Sequence, residues 1–263
     1  KLGILKFVLP ELEEGWMVGQ NKHHIYTVWE HSIRALIHAV ENKWPLKVRI
    51  AALLHDVGKP RAKQGDGPIS TFYGHEVVGA KMAREALTRL KFPKKMIDDI
   101  YKLVRWHLFF SDTEVVTLSA VRRIIRNVGE ENINDLLKVR YCDRIGMGRP
   151  KERPYRLRKY ESMIAEALHS PLSVSQLSLR GEDVMKICEI EPGPRIGFIL
   201  HVLLEEVLDD PTKNIRDHQE KRVKELCKLS DIELKKMGIE AKKRKEEEEE
   251  KEVAEIRKKY FVK

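Results

Sequence analysis

Six side chains in this 263-residue chain have the types and spacing of a metal centre. His55 and Asp56 adjoin in the run AALLHDVGKP. His31 lies in YTVWEHS, His75 in YGHEVVGA, His107 in LVRWHL and Asp143 in VRYCDRIG. A His-Asp dipeptide alone says little, because ten His and twelve Asp in this length give about half of one by chance. Four imidazoles with two carboxylates suit first-row divalent ions such as Mn, Fe, Co, Ni or Zn, whereas all-oxygen sites suit Mg or Ca. Six donors exceed the four of a tetrahedral zinc, and one carboxylate can give an oxygen to each of two ions. Asp56 is the expected bridge, so two ions are expected. Divalent ions roughly 3.5–4 Å apart activate water and clamp a phosphoryl oxygen, which is phosphoester hydrolysis without a protein nucleophile. A lone helical histidine is more often a hydrogen-bonded core residue; His38, His169, His201 and His218 read that way.

The elements that must position these donors read as helices. Thr27 is an N-cap for VWEHSIRALIHAV, which Trp44-Pro45 stops. Residues 46–56 form a second helix ended by Gly58 and Pro60. Residues 59–74, with Gly65, Gly67, Pro68 and Gly74, read as loop. Helices follow over 75–90, 94–108, 117–128 and 132–145, then near 154–169, 181–189, 194–208 and from 215. No segment alternates with period two, so the fold class is all-α, a helical bundle with one donor on or at the end of each of several helices. The turn at 146–150 divides a first domain, 1–148, from a helical region, 149–230. The run 231–263 is a charged low-complexity helix, either simply solvated or an arm for homo-oligomerisation.

Substrate oxygens need cations. Lys59, three residues past Asp56, either pairs with a phosphate or balances a helix end. Arg140 lies one turn before Asp143 and faces the same side. Arg144 adjoins Asp143 but points about 100° away. Asp56, Lys59 and Arg140 are therefore the catalytic candidates. His24 either lines the entrance or starts the first ligand helix. The window 151–160, KERPYRLRKY, sets five basic residues against one acidic. Arg153, Arg156, Arg158 and Lys159 for phosphates, with Tyr155 and Tyr160 for bases, make either a single-stranded RNA surface or a basic solvated face.

Composition narrows the classes. Fifty Lys and Arg against 41 Asp and Glu give +9. Residues 231–263 hold 11 basic and 10 acidic residues, so nearly all the excess lies in the preceding 230, which favours a polyanionic partner. No run approaches the roughly 18 apolar residues of a membrane span. Three cysteines, none in a CxxC pair, argue against a disulfide framework and for a reducing, cytoplasmic setting.

In sequence the six donors follow the order H…HD…H…H…D, which resembles the HD superfamily of metal-dependent phosphohydrolases. The resemblance implies that His31, His55, Asp56 and Asp143 hold one metal, and that His75 and His107 serve a second. A closer likeness runs through FVLPELEEG, HHIYTVWEHS, AALLHDVGKP, FYGHEVVGA, LKFPKK and LVRWHL, and on through LRGEDVMKICEIEPGPRIGFILHVLLEEVLDDPTKN. Over about residues 1–225 these look like the HD and tail region of bacterial tRNA nucleotidyltransferases, the CCA-adding and poly(A) polymerase family. That likeness implies hydrolysis of 2′,3′-cyclic phosphates, 2′-nucleotides or monoesters, with tRNA as a partner. The family's nucleotidyltransferase head has a Gly-Ser turn and a carboxylate pair on a strand, and neither motif is present here. Asp112-Thr113-Glu114 lacks that setting. The likeness of KLGILKFVLP to the connecting neck implies a head located upstream or on another chain.

Overall fold

The computed structural model describes residues 3–20, 25–65, 67–108, 116–169 and 172–237. Their regular elements are all helical, and the single β contact among them is an isolated bridge between Gln64 and Thr71. The all-α expectation holds. The described residues fall into two compact units, 3–108 with 127–161 and 116–126 with 162–237.

The first unit contains α1 (Leu5–Val8), α2 (Pro10–Glu13), α3 (Val28–Glu41), α4 (Leu46–Leu54), α5 (Lys59–Ala62), α6 (His75–Arg89) and α7 (Lys94–Trp106), then, after α8 (Leu118–Val128), α9 (Glu130–Gly146). α3 starts where the sequence predicts. The Thr27 hydroxyl accepts from the Glu30 N–H at 3.2 Å while the Glu30 carboxylate accepts from the Thr27 N–H at 3.0 Å, a closed capping box. α4 is the central helix, touched by α3, α7 and α9. Its sequence explains this: Val48, Ala51, Ala52 and Leu54 are all buried, and the two alanines let neighbours approach closely. Ala35, Ala39, Ala52 and Cys142 form one tight contact under Trp44. α6 and α7 pack along each other. α2 is tied down by two bidentate pairs, Glu11 with Arg89 and Glu14 with Arg61.

The second unit is built on α11 (Gly181–Cys188), α12 (Pro194–Asp209) and α13 (Arg216–Leu226), which contact one another pairwise. Leu179, Val184, Ile199, Leu203, Val223, Leu226 and Leu234 fill its core. Helix α10 (Tyr155–Leu168) leads into it.

Three expectations change. The 59–74 loop contains α5, started by Pro60 where a missing N–H costs nothing, and a 3-10 turn at Gly67–Ile69. Tyr160 points inward and is buried, so only Tyr155 of the expected stacking pair is exposed. Cys188 and Cys227 form a disulfide, Cα–Cα 5.5 Å, joining the ends of α11 and α13. Their 39-residue separation leaves no local motif, and the pairing removes the cysteine argument for a reducing compartment. Of the charged terminal run, residues 231–237 are helical behind a Ser230–Glu233 capping box; residues 238–263 lie outside the described residues, as do His24 and residues 112–114. Among the described residues no helix is long and apolar enough to cross a membrane.

Candidate metal centre

Five helices bring the six donors together at their ends or in their terminal turns. His31 sits in the second turn of α3. His55 caps the C-terminus of α4, and Asp56 begins the turn that α5 continues. His75 opens α6 behind Gly74, whose φ of +73° suits glycine. His107 caps α7, and Asp143 lies in the last turn of α9. All six are buried.

Three of the imidazoles are oriented by one device. His55 Nδ1 donates to the Ala52 carbonyl at 2.8 Å, His75 Nδ1 to Phe72 at 2.7 Å and His107 Nδ1 to Val104 at 2.7 Å. A carbonyl only accepts, so Nδ1 carries a proton in each, which leaves Nε2 as the nitrogen able to bind a metal once it is deprotonated. The three Nε2 atoms face inward. His31 Nε2 lies 2.9 Å from His55 Nε2, with Asp56 Oδ2 at 3.1 Å and Asp143 Oδ1 at 3.3 Å. The other oxygen of Asp56, Oδ1, lies 3.2 Å from His75 Nε2 and 3.6 Å from His107 Nε2. The donors thus form two groups, His31, His55, Asp56 and Asp143, then Asp56, His75 and His107, with Asp56 common to both.

This arrangement fits cations. Neither His75 Nε2 nor His107 Nε2 makes a hydrogen bond although both are buried, and native structures rarely leave such atoms unanswered. The Nε2 atoms of His31 and His55, 2.9 Å apart, converge on one point and can share a proton or a metal ion there. Nitrogen with carboxylate oxygen is the donor chemistry of first-row divalent ions. The carboxylates stay ionised: burial opposes it, but His55 and Lys59 hold Asp56 well below the usual range, as Arg140 and the facing imidazoles do Asp143. His55 is pushed up to about 10, its burial outweighed by Asp56 and Asp143. Burial pushes His107 down to about 4, which keeps its lone pair available.

Lys59 and Arg140 border the groups. Lys59 Nζ is 2.7 Å from Asp56 Oδ2 and donates to Gln20 Oε1 at 2.6 Å. It opens α5 and is buried. Arg140 pairs with Asp143 Oδ2. Arg144 is turned to the Lys151 carbonyl. In the basic window, Tyr155, Arg156, Arg158 and Lys159 are exposed, whereas Arg153 is paired with Glu161, which also accepts from Tyr141.

Several positions that matter were not legible in advance. Gln20 is an ordinary polar residue until folding brings it to Lys59. Gly58 and Gly79 let the turn after Asp56 touch α6 backbone to backbone: a Cβ at Gly58 would stand 2.2 Å from the His75 carbonyl oxygen and 2.5 Å from Gly79 N. Gly146 abuts His31, where a Cβ would lie 3.0 Å from Nδ1. A glycine beside a donor, inside a helical run, is the signal that marks such positions.

Residues 28–148 match the family model of the HD domain. The chain is 35% identical over 216 residues to a CC-adding tRNA nucleotidyltransferase of Thermus thermophilus, covering 78% of this chain and 46% of that protein. It is 34% identical over 213 residues to an A-adding tRNA nucleotidyltransferase of Deinococcus radiodurans, covering 78% and 48%. A bifunctional uridylyltransferase/uridylyl-removing enzyme of Ruegeria pomeroyi is 28% identical over 195 residues, covering 65% and 20%. The chain spans about half the length of the first two of these curated relatives.

Proposed function

Since the chain carries an HD domain and is homologous, through that domain and the helices after it, to tRNA nucleotidyltransferases, we propose that it is a metal-dependent phosphohydrolase of nucleotide-like phosphoesters. Its substrates are 2′,3′-cyclic phosphates, 2′-nucleotides or monoesters, including those at tRNA 3′ ends. The reading rests on Asp56, whose two carboxylate oxygens face two separate sets of imidazoles.

His31, His55, Asp56 and Asp143, and Asp56, His75 and His107, would hold divalent ions, which would supply positive charge and lower the pKa of water. The protein's own groups do the rest. Carbonyl-bound Nδ1 atoms fix His55, His75 and His107, so the donors need no rearrangement. Lys59 holds a positive charge beside Asp56, where a phosphoryl oxygen can share it. Arg140 fixes Asp143. The nearest thiol, Cys142, is no nucleophile: burial, then Asp143, push its pKa far up.

The test is turnover of 2′,3′-cyclic AMP by protein loaded with Mn, Co or Ni. Asp56→Ala is expected to reduce it to background, and equal turnover in both proteins overturns the reading.

The likeness to two tRNA nucleotidyltransferases favours a second reading, a non-catalytic tRNA-binding portion of a nucleotidyltransferase whose head lies upstream or on another chain. It predicts salt-sensitive tRNA binding that survives Asp56→Ala. Neutralising Arg153, Arg156, Arg158 and Lys159 together would weaken that binding.

A further inference from the structure

Helix α9 ends in a turn that gathers arginines. Gly148, at φ +82°, donates its N–H to the Ile145 carbonyl at 2.9 Å, and the Arg149 N–H reaches the Arg144 carbonyl at 3.4 Å. These two bonds make a Schellman closure, in which an apolar contact commonly links the ends of the longer bond. Here those two positions are Arg144 and Arg149. Arg140 precedes Arg144 by one helical turn on the same face and is bonded to Asp143, so the cluster adjoins the first donor group. The turn is seated on the segment leading into α3: a Cβ at Gly148 would lie 3.0 Å from Ile25 and 3.3 Å from Tyr26. Arg34 stacks over the Tyr26 ring at 3.8 Å.

The protein does not answer these charges. Arg140 has Asp143. Arg144 gives Nε to the Lys151 carbonyl, an uncharged acceptor, and among the described residues no carboxylate pairs with Arg144 or Arg149. Glu152, close in sequence, is turned to His38 at 3.2 Å. A helix C-terminus offers about half a negative charge, too little for the two cations that remain.

We infer that Arg144 and Arg149 seat a second phosphate of the substrate, next to the one hydrolysed, so that the substrate class is an RNA 3′ end and not a free mononucleotide. This deepens the phosphohydrolase reading and rests on it for the position of the scissile ester. An internucleotide phosphate and the 5′-phosphate of a nucleotide share the required chemistry, and the test separates them.

Three substrates are compared in the Mn-loaded full chain: adenosine 2′,3′-cyclic phosphate, the same nucleoside bearing a 5′-phosphate, and a diadenosine dinucleotide ending in the cyclic phosphate. The ratio of kcat/KM for the dinucleotide to that for the plain mononucleotide should be about tenfold or more, the 1–2 kcal/mol of a charge-assisted contact. Arg149→Gln should bring that ratio toward one, and Arg149→Lys should keep part of it. If the 5′-phosphate alone captures the gain, the seat serves free nucleotides and the RNA assignment falls. A second readout needs no turnover: binding of a fluorescein-labelled eight-nucleotide RNA against salt. Replacing Arg144 and Arg149 together by glutamine should reduce the slope of log Kd on log[salt] by about 0.7 for each phosphate that is no longer neutralised. A reduced slope in a protein that hydrolyses nothing keeps the seat and removes the hydrolase reading. An unchanged ratio and an unchanged slope in Arg144→Gln/Arg149→Gln overturn the proposal.

Discussion

In the first unit, imidazole nitrogens and carboxylate oxygens crowd within 4.8 Å of one another in two groups, and two of the nitrogens make no hydrogen bond. In the second unit, the buried polar cluster is made of opposite charges that meet. Arg122 donates to the carbonyls of Leu208 and Asp209 at the end of α12; Arg123 bonds Asp209 at 2.5 Å, and Arg126 pairs with Glu205. Both clusters hold helix ends that hydrophobic contact alone would leave frayed. In the second, each guanidinium meets a carboxylate or a carbonyl, with Arg123 Nε 3.6 Å from Glu205 Oε2. In the first, imidazole nitrogens and carboxylate oxygens outnumber the cations Lys59 and Arg140 that meet them. Burying polar groups can therefore serve cohesion or capture, and what separates the two is whether donors and acceptors balance.

That contrast can be broken in several ways. The largest expected effect is from metal. At a free concentration a thousandfold above Kd, Mn should stabilise the stripped protein by about 4 kcal/mol, read as a rise in the thermal midpoint. Asp56→Ala should erase the rise, and a midpoint that ignores metal in the wild type would end the comparison. Next comes the covalent link. Reduction, or Cys188→Ser, should cost about 2–4 kcal/mol in denaturant unfolding while metal content stays the same; a fall in metal content would show that the two devices are not separate.

A smaller effect distinguishes two glycines. Gly58→Ala should cost about 1–3 kcal/mol, because its Cβ collides with backbone that cannot yield, and Mn affinity should drop with it. Gly197→Ala, in open space on helix α12, should instead stabilise by about 0.4–1 kcal/mol. Equal responses from both would mean that the close approach at Gly58 is unimportant. The smallest effect is from pH. Bonding to Arg89 holds the Glu11 carboxyl below its ordinary value. Its contribution is therefore present above the unfolded value, about 4.3, and is lost as pH falls through the folded one. With Arg89 partly exposed, wild type should exceed Glu11→Gln by less than about 1 kcal/mol at pH 6, and the two should converge near pH 3.

The donors of the candidate centre were legible because each announces itself by residue type and, His107 apart, lies near a helix end that Thr27, Gly58, Gly74 or Gly146 marks in the sequence. Helix periodicity revealed the bundle for the same local reason. What escaped depends on distance along the chain. Gln20 meets Lys59 across 39 positions, and Cys188 meets Cys227 across 39 more; no spacing rule reaches that far. Tyr160 looked exposed because its neighbours are charged, yet its place on α10 turns it inward. The helix α5 was hidden in a run of turn-forming residues, where a proline at its start looks the same as a proline that prevents one.

The contact between Gly58 and Gly79 carries one more consequence. Where two stretches of main chain rest directly on each other, no rotamer lies between them to absorb displacement. The peptide carrying Asp56 and the first turn of the helix carrying His75 must then travel as one rigid piece. Thermal motion can shift the other donors, but the interval between Asp56 and His75 is held constant by the backbone itself.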